Sequence, residues 1–189
     1  MLFRSNATSW GSLPSARGFV AASANNIYGV FSGGLNSSNA YRSSASYITF
    51  STTGNASTFG NLTIARAYLS GGGDSIRALA CGGLGTSGPY QTRIDQMLYA
   101  SLGNASNYGS LSVAGLGCAT ASSPTRTVFM GGENRDTTID YITNASGGTA
   151  TSFGTQTPSK LKTAGLLFRR ASLAVRTFKS LFLIILQSY

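Results

Sequence analysis

The chain has 189 residues, with 24 Gly, 42% hydrophobic and 10% charged residues, and a formal charge of +9 at pH 7. It contains no His and only five carboxylates, Asp74, Asp95, Glu133, Asp136 and Asp140, so a Ser-His-Asp triad, a Cys-His pair or a His-rich metal site cannot be built from this chain alone. Nine Tyr and ten Phe are too many for a disordered Gly/Ser linker; they suit a folded β protein whose small polar residues supply the turns.

Charge and apolar content are unevenly placed. Residues 1–159 hold eight Arg, no Lys and all five acids, a balance of +3, whereas residues 160–189 hold three Lys, three Arg and no acid, a balance of +6. A mildly basic body does not suit nucleic acid, which rewards cations spread along a groove. Cys81 and Cys118 have no metal-binding spacing and are too few for a disulfide framework, which implies a reducing compartment or buried free thiols. The opening residues contain no secretory-type apolar run. The Asn-x-Ser/Thr sequons at Asn6, Asn36, Asn55, Asn61, Asn104 and Asn144 then read as accidents of an Asn/Ser-rich sequence.

In chain order, the first feature is a repeat. Asn6-Ala-Thr-Ser-Trp-Gly11, Asn55-Ala-Ser-Thr-Phe-Gly60 and Asn104-Ala-Ser-Asn-Tyr-Gly109 start 49 residues apart, and Thr149-Ala-Thr-Ser-Phe-Gly154 follows 45 residues on. The offset of 49 also links Leu13, Leu62 and Leu111, the steps Ala16-Arg17, Ala65-Arg66 and Ala114-Gly115, and the pairs Gly33-Gly34, Gly82-Gly83 and Gly131-Gly132. Such self-similarity marks a repeat architecture. Within each unit a short run such as Gly18-Phe-Val-Ala-Ala22 is followed by a polar turn and then by an apolar run ending in Gly-Gly: Ile27 to Ser32, Ile76 to Cys81, Thr127 to Met130. A loop of varied length leads to a third run with alternation, clearest in Ile139-Asp-Tyr-Ile-Thr143, and the fourth run carries the aromatic of the Trp10, Phe59, Tyr108, Phe153 series. Runs of four to six β-branched or aromatic residues bounded by Gly, Ser and Asn predict strands. Four strands per unit, repeated, predict propeller blades. The expected organisation is an all-β repeat array over 1–159, with units at about 6–54, 55–103 and 104–148 and a partial fourth at 149–159.

An apolar strand ending in Gly-Gly, a Tyr about a dozen residues later, an aromatic before Gly-x-Leu and then Ala-Arg together resemble the kelch repeat, most fully in Ile27 to Gly34, Tyr47, Trp10 and Leu13 to Arg17. Units two and three, with Thr125 to Gly132 and Thr138 to Thr143, resemble the kelch-type repeats of structural and tail-fibre-like proteins of marine bacteriophages. The resemblance spans about residues 5–160 and implies a non-enzymatic structural or interaction protein of a virion; a cytoplasmic location is the alternative. Kelch propellers usually close with six or seven blades, whereas this chain has three full units. Two open flanks then need cover, from other proteins or from further copies of the chain. The competing readings are a glycan- or ligand-binding propeller and a fragment of a galactose-oxidase-like enzyme. The latter needs His and Tyr metal ligands, and the lack of His counts against it. No cofactor and no metal are expected.

Individual motifs read mostly as scaffold. Gly83-Leu-Gly-Thr-Ser-Gly88 satisfies GxGxxG, but no helix is patterned after it and the equivalent loops lack the motif, so it is a turn. The Gly-Gly pairs at Gly33, Gly34, Gly82, Gly83, Gly131 and Gly132 permit tight turns. Trp10, Phe59, Tyr108 and Phe153 are expected in the core. Arg17 with Arg66, Arg77 with Arg126, and Asp95 with Asp140 are repeat-equivalent and fit hydrogen bonding within the frame. Specificity is expected in the loops that vary between units, Leu35 to Arg42, Leu84 to Thr92 and Glu133 to Thr137, with Asn36, Tyr41, Tyr90, Arg135 and Asp136 as candidate contacts to a partner, receptor or host glycan. Beyond about Lys160 the repeat ends. There Leu167, Ala171, Ala174, Phe178, Leu181 and Ile185 recur at helical spacing beside Arg169, Arg170, Arg176 and Lys179, which predicts a basic amphipathic helix. The final apolar run is too short to span a bilayer. The readings of this segment are a cap on an open flank, an oligomerisation seam, a membrane-surface helix, or a truncated or frameshifted end.

Overall fold

Short β-branched and aromatic runs separated by Gly, Asn and Ser turns leave the chain one way to satisfy its backbone, by up-and-down pairing of sequence neighbours. The computed structural model describes residues 8–86 and 88–157. Among these the chain is all-β, without a helix, in four sheets of which none closes on itself. The helix expected over 160–189 lies outside the described residues.

The first sheet consists of β1 (Ala21–Ala24), β2 (Tyr28–Ser32), β3 (Ser44–Thr49) and β4 (Ser57–Asn61), side by side in that order and all antiparallel. After β5 (Arg66–Ala67) the second sheet takes β6 (Ser70–Gly73) and β7 (Arg77–Cys81); β8 (Leu84–Gly85) turns back to pair with β5, and β9 (Arg93–Leu98) and β10 (Ser106–Ser110) complete the sheet. The third sheet contains β11 (Ala119–Ser122), β12 (Arg126–Met130) and β13 (Thr138–Thr143). Between its third and fourth strands, β14 (Gly148–Thr149) adds to the second sheet in parallel with β10. β15 (Thr151–Thr155) then pairs with β13. The residues assigned from the repeat to a partial fourth unit therefore supply the last strand of the third sheet.

Local chemistry explains each hairpin. The β1–β2, β6–β7 and β11–β12 turns begin at the repeat-equivalent Asn25, Asp74 and Ser123, whose side-chain oxygens accept backbone N–H bonds two and three residues on; this is the Asx/Ser turn. At the other end of β2, β7 and β12 the Gly-Gly pairs all have positive φ, 68° and 103° at Gly33 and Gly34 for example. A Cβ on Gly34 or Gly132 would sit 2.5 Å from the carbonyl oxygen of Gly18 or Leu116, so no side chain fits there. The register of the fourth strand slips by one residue in all three sheets, and the surplus residue is Phe59, Tyr108 or Phe153. Such a bulge re-aims its side chain, here off the sheet and toward the next unit.

The three sheets stack face to face, with the first strands β1, β6 and β11 adjacent. Period-two alternation divides the second sheet between two cores. Ala78, Ala80 and Met97 join Val30, Ala45, Phe59 and Leu62 of the first unit, whereas Leu79, Cys81 and Ile94 join Phe129, Ile142 and Ala150 of the third. Glycines let the backbones meet. A Cβ on Gly71 would overlap Ala22, and one on Gly60 or Gly109 would overlap the carbonyl of Gly103 or Gly148. At these outer contacts Asn61 N–H donates to Asn104 Oδ1 at 3.0 Å and Ala105 N–H to the Asn61 carbonyl at 2.8 Å, while Ala150 N–H donates to the Ser110 carbonyl at 2.7 Å. The equivalent bonds also hold the N-terminal segment, from Ser12 N–H to Asn55 Oδ1 at 3.0 Å and from Ala56 N–H to the Ser12 carbonyl at 2.9 Å.

One expectation about this core needs correction. The aromatic series does not share one environment, for Phe59 is 2% exposed whereas Phe153 is 59% and Trp10 42% exposed. The reason is position in the stack: Phe59 points from the first sheet toward the second, which covers it, whereas Phe153 lies on the outer face of the third sheet and Trp10 precedes the first. Tyr99, 4% exposed in the first core, has a hydroxyl with no hydrogen-bond partner among the described residues. Burial, reinforced by the nearby charge of Asp74, pushes its pKa up to about 12.

Two predictions follow from this packing. In dilute solution, chemical denaturation should register a loss of about 3–5 kcal/mol for Phe59→Ala, against a change within about 0.5 kcal/mol for Phe153→Ala; equal losses would contradict the end-exposed stack. The folded state holds the Tyr99 proton to about pH 12 while the unfolded chain releases it near 10, so stability falls as pH rises between those values. Tyr99→Phe, which deletes an unpaired hydroxyl, should flatten that alkaline slope in a pH series of denaturation midpoints without lowering stability at pH 7.

Candidate functional site

The varied loops emerge at the Gly-Gly end of the stack, and beneath them lies a row of guanidinium groups. Arg17 enters from the segment before β1; its Nη1 donates to the carbonyl and hydroxyl of Ser44, both at 2.6 Å, and its Nη2 to Ser46 Oγ at 2.6 Å. Arg66, fully buried one unit on, donates from Nη1 to the carbonyls of Gly82 at 2.7 Å and Arg93 at 2.9 Å, and from Nη2 to Asp95 Oδ2 at 2.7 Å. Asp95, also buried, accepts from the backbone N–H and hydroxyl of Thr63 at 3.1 and 2.7 Å. Burial lowers the pKa of both guanidinium groups, with Arg42 adding to the effect at Arg17 and Asp95 opposing it at Arg66.

The third unit reaches the same arrangement by another route. The position equivalent to Arg66 is Gly115, and the space is taken by Arg135 from the loop after Gly131-Gly132. A Cβ on Gly115 would lie 2.6 Å from the Arg135 Cγ and Cδ. Arg135 Nη2 donates to Asp140 Oδ2 at 2.6 Å and its Nη1 to Cys118 Sγ at 3.4 Å. Asp140 in turn accepts from the N–H and hydroxyl of Ser112 at 3.1 and 2.6 Å. Arg135 is 1% exposed and is therefore not a surface contact, contrary to the sequence expectation. Its loop varies between units, and here the variation refills a buried cation site. The chemistry matches across units: Thr63 and Ser112 offer N–H groups to a carboxylate, whereas at the equivalent positions the first unit has Pro14, which lacks an N–H, and the neutral Ser46.

The remaining candidates occupy three loops. Asn36 binds within its own loop, its Oδ1 accepting from Ser38 N–H at 3.1 Å and Ala40 N–H at 2.8 Å. Tyr41 is half-buried and bridges to Leu35. The Tyr90 hydroxyl donates to Glu133 Oε1 at 3.0 Å and so ties the second loop to the third. Asp136 is exposed, and its carbonyl accepts from the Gln156 side chain. The segment Gly83 to Gly88 forms β8 and a bridge between Gly85 and Gly88, with no helix after it.

Sequence reasoning passed over Phe19 and Tyr68. They stack with ring centroids 4.3 Å apart at 29°, and Tyr68 N–H donates to the Phe19 carbonyl at 2.9 Å. Both are in the left-handed region, φ 59° and 57°, as is their equivalent Gly117 at 62°. Held there, a non-glycine residue costs about 1–3 kcal/mol and persists only where the surroundings impose it. The available signal was the Phe, Tyr, Gly series at the 49-residue offset, because a Gly replacing two aromatics points to backbone constraint. The result is an apolar plate, with Phe19 exposed, at the inner rim of the loop end.

No group of three or more His, Cys, Asp or Glu among the described residues is placed to hold a metal ion. Burial pushes both thiols up, opposed by Arg66 at Cys81 and by Arg135 at Cys118, so they are protonated at neutral pH and pack as small apolar groups. No helix among the described residues is long and apolar enough to cross a membrane.

Removing one member of a buried pair leaves its partner uncompensated. Arg135→Met should therefore cost about 3–5 kcal/mol in urea denaturation. Adding Asp140→Ser, the residue of the first unit's Ser46, should recover part of that loss. Failure of the double variant to recover would show that Arg135 acts through its stem packing rather than through its charge. No protein-family model matches this chain, and neither does any curated protein.

Proposed function

We propose that the chain is a non-enzymatic interaction scaffold of the kelch-like propeller type. Each of the three stacked sheets serves as one blade of an open array, and the array works within a larger assembly, a phage virion or its tail. One observation carries the reading: the same repeat position is buried at Phe59 inside the stack and exposed at Phe153 and Trp10 at its ends. Among the described residues the stack repeats one apolar interface and leaves its two outer faces uncovered, a surface suited to protein contact. The loop end supplies a second surface, with the Phe19–Tyr68 plate and the Tyr90–Glu133 link carried on a frame braced by buried Arg–Asp pairs. Function then lies in what the loops and end faces touch, the host-facing or partner-facing part of a particle, and no group-transfer chemistry is assigned to the chain.

The virion placement rests on the resemblance of Thr125 to Gly132 and Thr138 to Thr143 to repeats of phage structural proteins. Its test is the protein content of density-banded particles from the source of this sequence. Tryptic peptides of the chain, such as Ile94 to Arg126, should band with the particles at copy numbers comparable to other structural proteins. Recovery solely from the unbanded soluble fraction would sink the virion placement.

A further inference from the structure

The two ends of the stack carry the two halves of an interface that the chain already makes twice. On the face that the first sheet turns to the second lie Tyr28, Val30, Ala45, Tyr47 and Phe59; their repeat equivalents on the outward face of the third sheet are Arg126, Val128, Ile139, Tyr141 and Phe153. The correspondence extends to ring geometry. Tyr47 and Phe59 meet edge to face at 6.0 Å and 86° in the buried core, and Tyr141 and Phe153 meet edge to face at 6.0 Å and 85° at the open end. Tyr28 packs on Tyr47 at 5.4 Å, and in the third sheet the Arg126 guanidinium covers Tyr141 at 4.7 Å. The opposite half-interface is equally matched. The second sheet presents Ala80, Met97 and Tyr99 to the first, with Tyr99 stacked on Tyr28 at 6.4 Å. Their equivalents on the outward face of the first sheet are Phe31, Ile48 and Phe50, and Phe50 is 42% exposed where Tyr99 is 4% exposed.

We infer that a second copy of this chain is the partner of these faces, the third sheet of one copy docking on the first sheet of the next. This inference rests on the scaffold reading above and names its partner. The contact is heterologous, so it propagates into a closed ring or an open filament according to the angle between copies. In it Phe50 of one copy lies over Arg126 and Tyr141 of the other, where Tyr99 lies over Tyr28 within the chain. The outer latch has its counterpart as well. Residues 10–12 now hold the site beside Gly54, Asn55 and Ala56 through the Ser12 bonds to Asn55 and Ala56. Ala-Thr-Ser-Trp-Gly11 and Ala-Thr-Ser-Phe-Gly154 differ at one residue. β15 of the docking copy replaces the N-terminal segment there, its Thr155 taking the bonds of Ser12.

Sedimentation velocity on the full chain tests this. The wild-type protein should associate reversibly with rising concentration. Phe153→Glu on one face, or Phe50→Glu on the other, should lower the association constant about 30-fold or more, the scale of a central interface residue; Met130→Glu is the alternative on the third-sheet face should Phe153→Glu not fold, judged by circular dichroism and thermal melting. The decisive arm mixes the two variants. Each retains the face the other has lost, so an equimolar mixture should form a dimer and nothing larger. Trp10→Ser, which loosens the resident segment, should strengthen wild-type association. A wild-type chain that stays monomeric at all concentrations, or a mixture no more associated than its components, overturns the inference; a fall in association with Trp10→Ser overturns the exchange at the latch. A monomer found in banded particles would overturn the self-docking alone, while an associating chain absent from particles would overturn the virion placement alone.

Discussion

Every part of this molecule follows from the need of a four-stranded sheet of short strands to cover both of its faces. Strands of four to six residues provide too little area for one sheet to hold itself together in water, and the apolar residues alternate onto both sides. The second sheet meets this need fully, with Ala78, Ala80 and Met97 on one side and Leu79, Cys81 and Ile94 on the other. Among the described residues the first and third sheets meet it on one side only. Stability is therefore of the nearest-neighbour kind found in repeat proteins, strongest in the middle and weakest at the ends. The same rule makes the end faces the places where association gains most.

The buried Arg–carboxylate pairs make a second level of constraint beneath the varied loops. In the first two units a guanidinium at the Gly-Gly turn donates to carbonyls that converge there, Ser44 for Arg17 and Gly82 and Arg93 for Arg66, and in the second and third a carboxylate on a neighbouring strand balances its charge. The units solve this in three ways: Arg17 with serine hydroxyls, Arg66 with Asp95, and Arg135 with Asp140 after Gly115 vacates the usual position. What is kept is the geometry of donors and acceptors rather than the residue that supplies it. A buried pair of this kind stabilises little beyond an apolar substitute but penalises alternatives severely, because any misregister strands a charge. It suits a frame that must hold one register while its loops diverge.

Much of this was legible in residue order. The repeat offset marked the runs that form the strands of the three sheets, apart from Trp10, which lies in none, and the glycine pairs marked the tight turns. The repeat phase was harder to read, because the most visible motif, the aromatic-glycine run, belongs to the last strand of a sheet; residues 149–159 therefore looked like the start of a unit when they end one. Arg135 was misplaced for a related reason. Loop variability is read as surface adaptation, and nothing in the residue string shows that a varied loop sends its side chain inward to fill a vacancy left by Gly115.

Composition and spacing alone determined the all-β class, the unit length, the turn chemistry and the lack of any His to build a site from, since these depend on local backbone preference and on which side chains exist. Tertiary structure decided exposure. Phe59, Tyr108, Phe153 and Trp10 are interchangeable by position in the repeat, and only the presence or absence of a neighbouring sheet makes one a core residue and another an open face. Burial is a property of the pair of surfaces, and a single sequence position encodes just one of them.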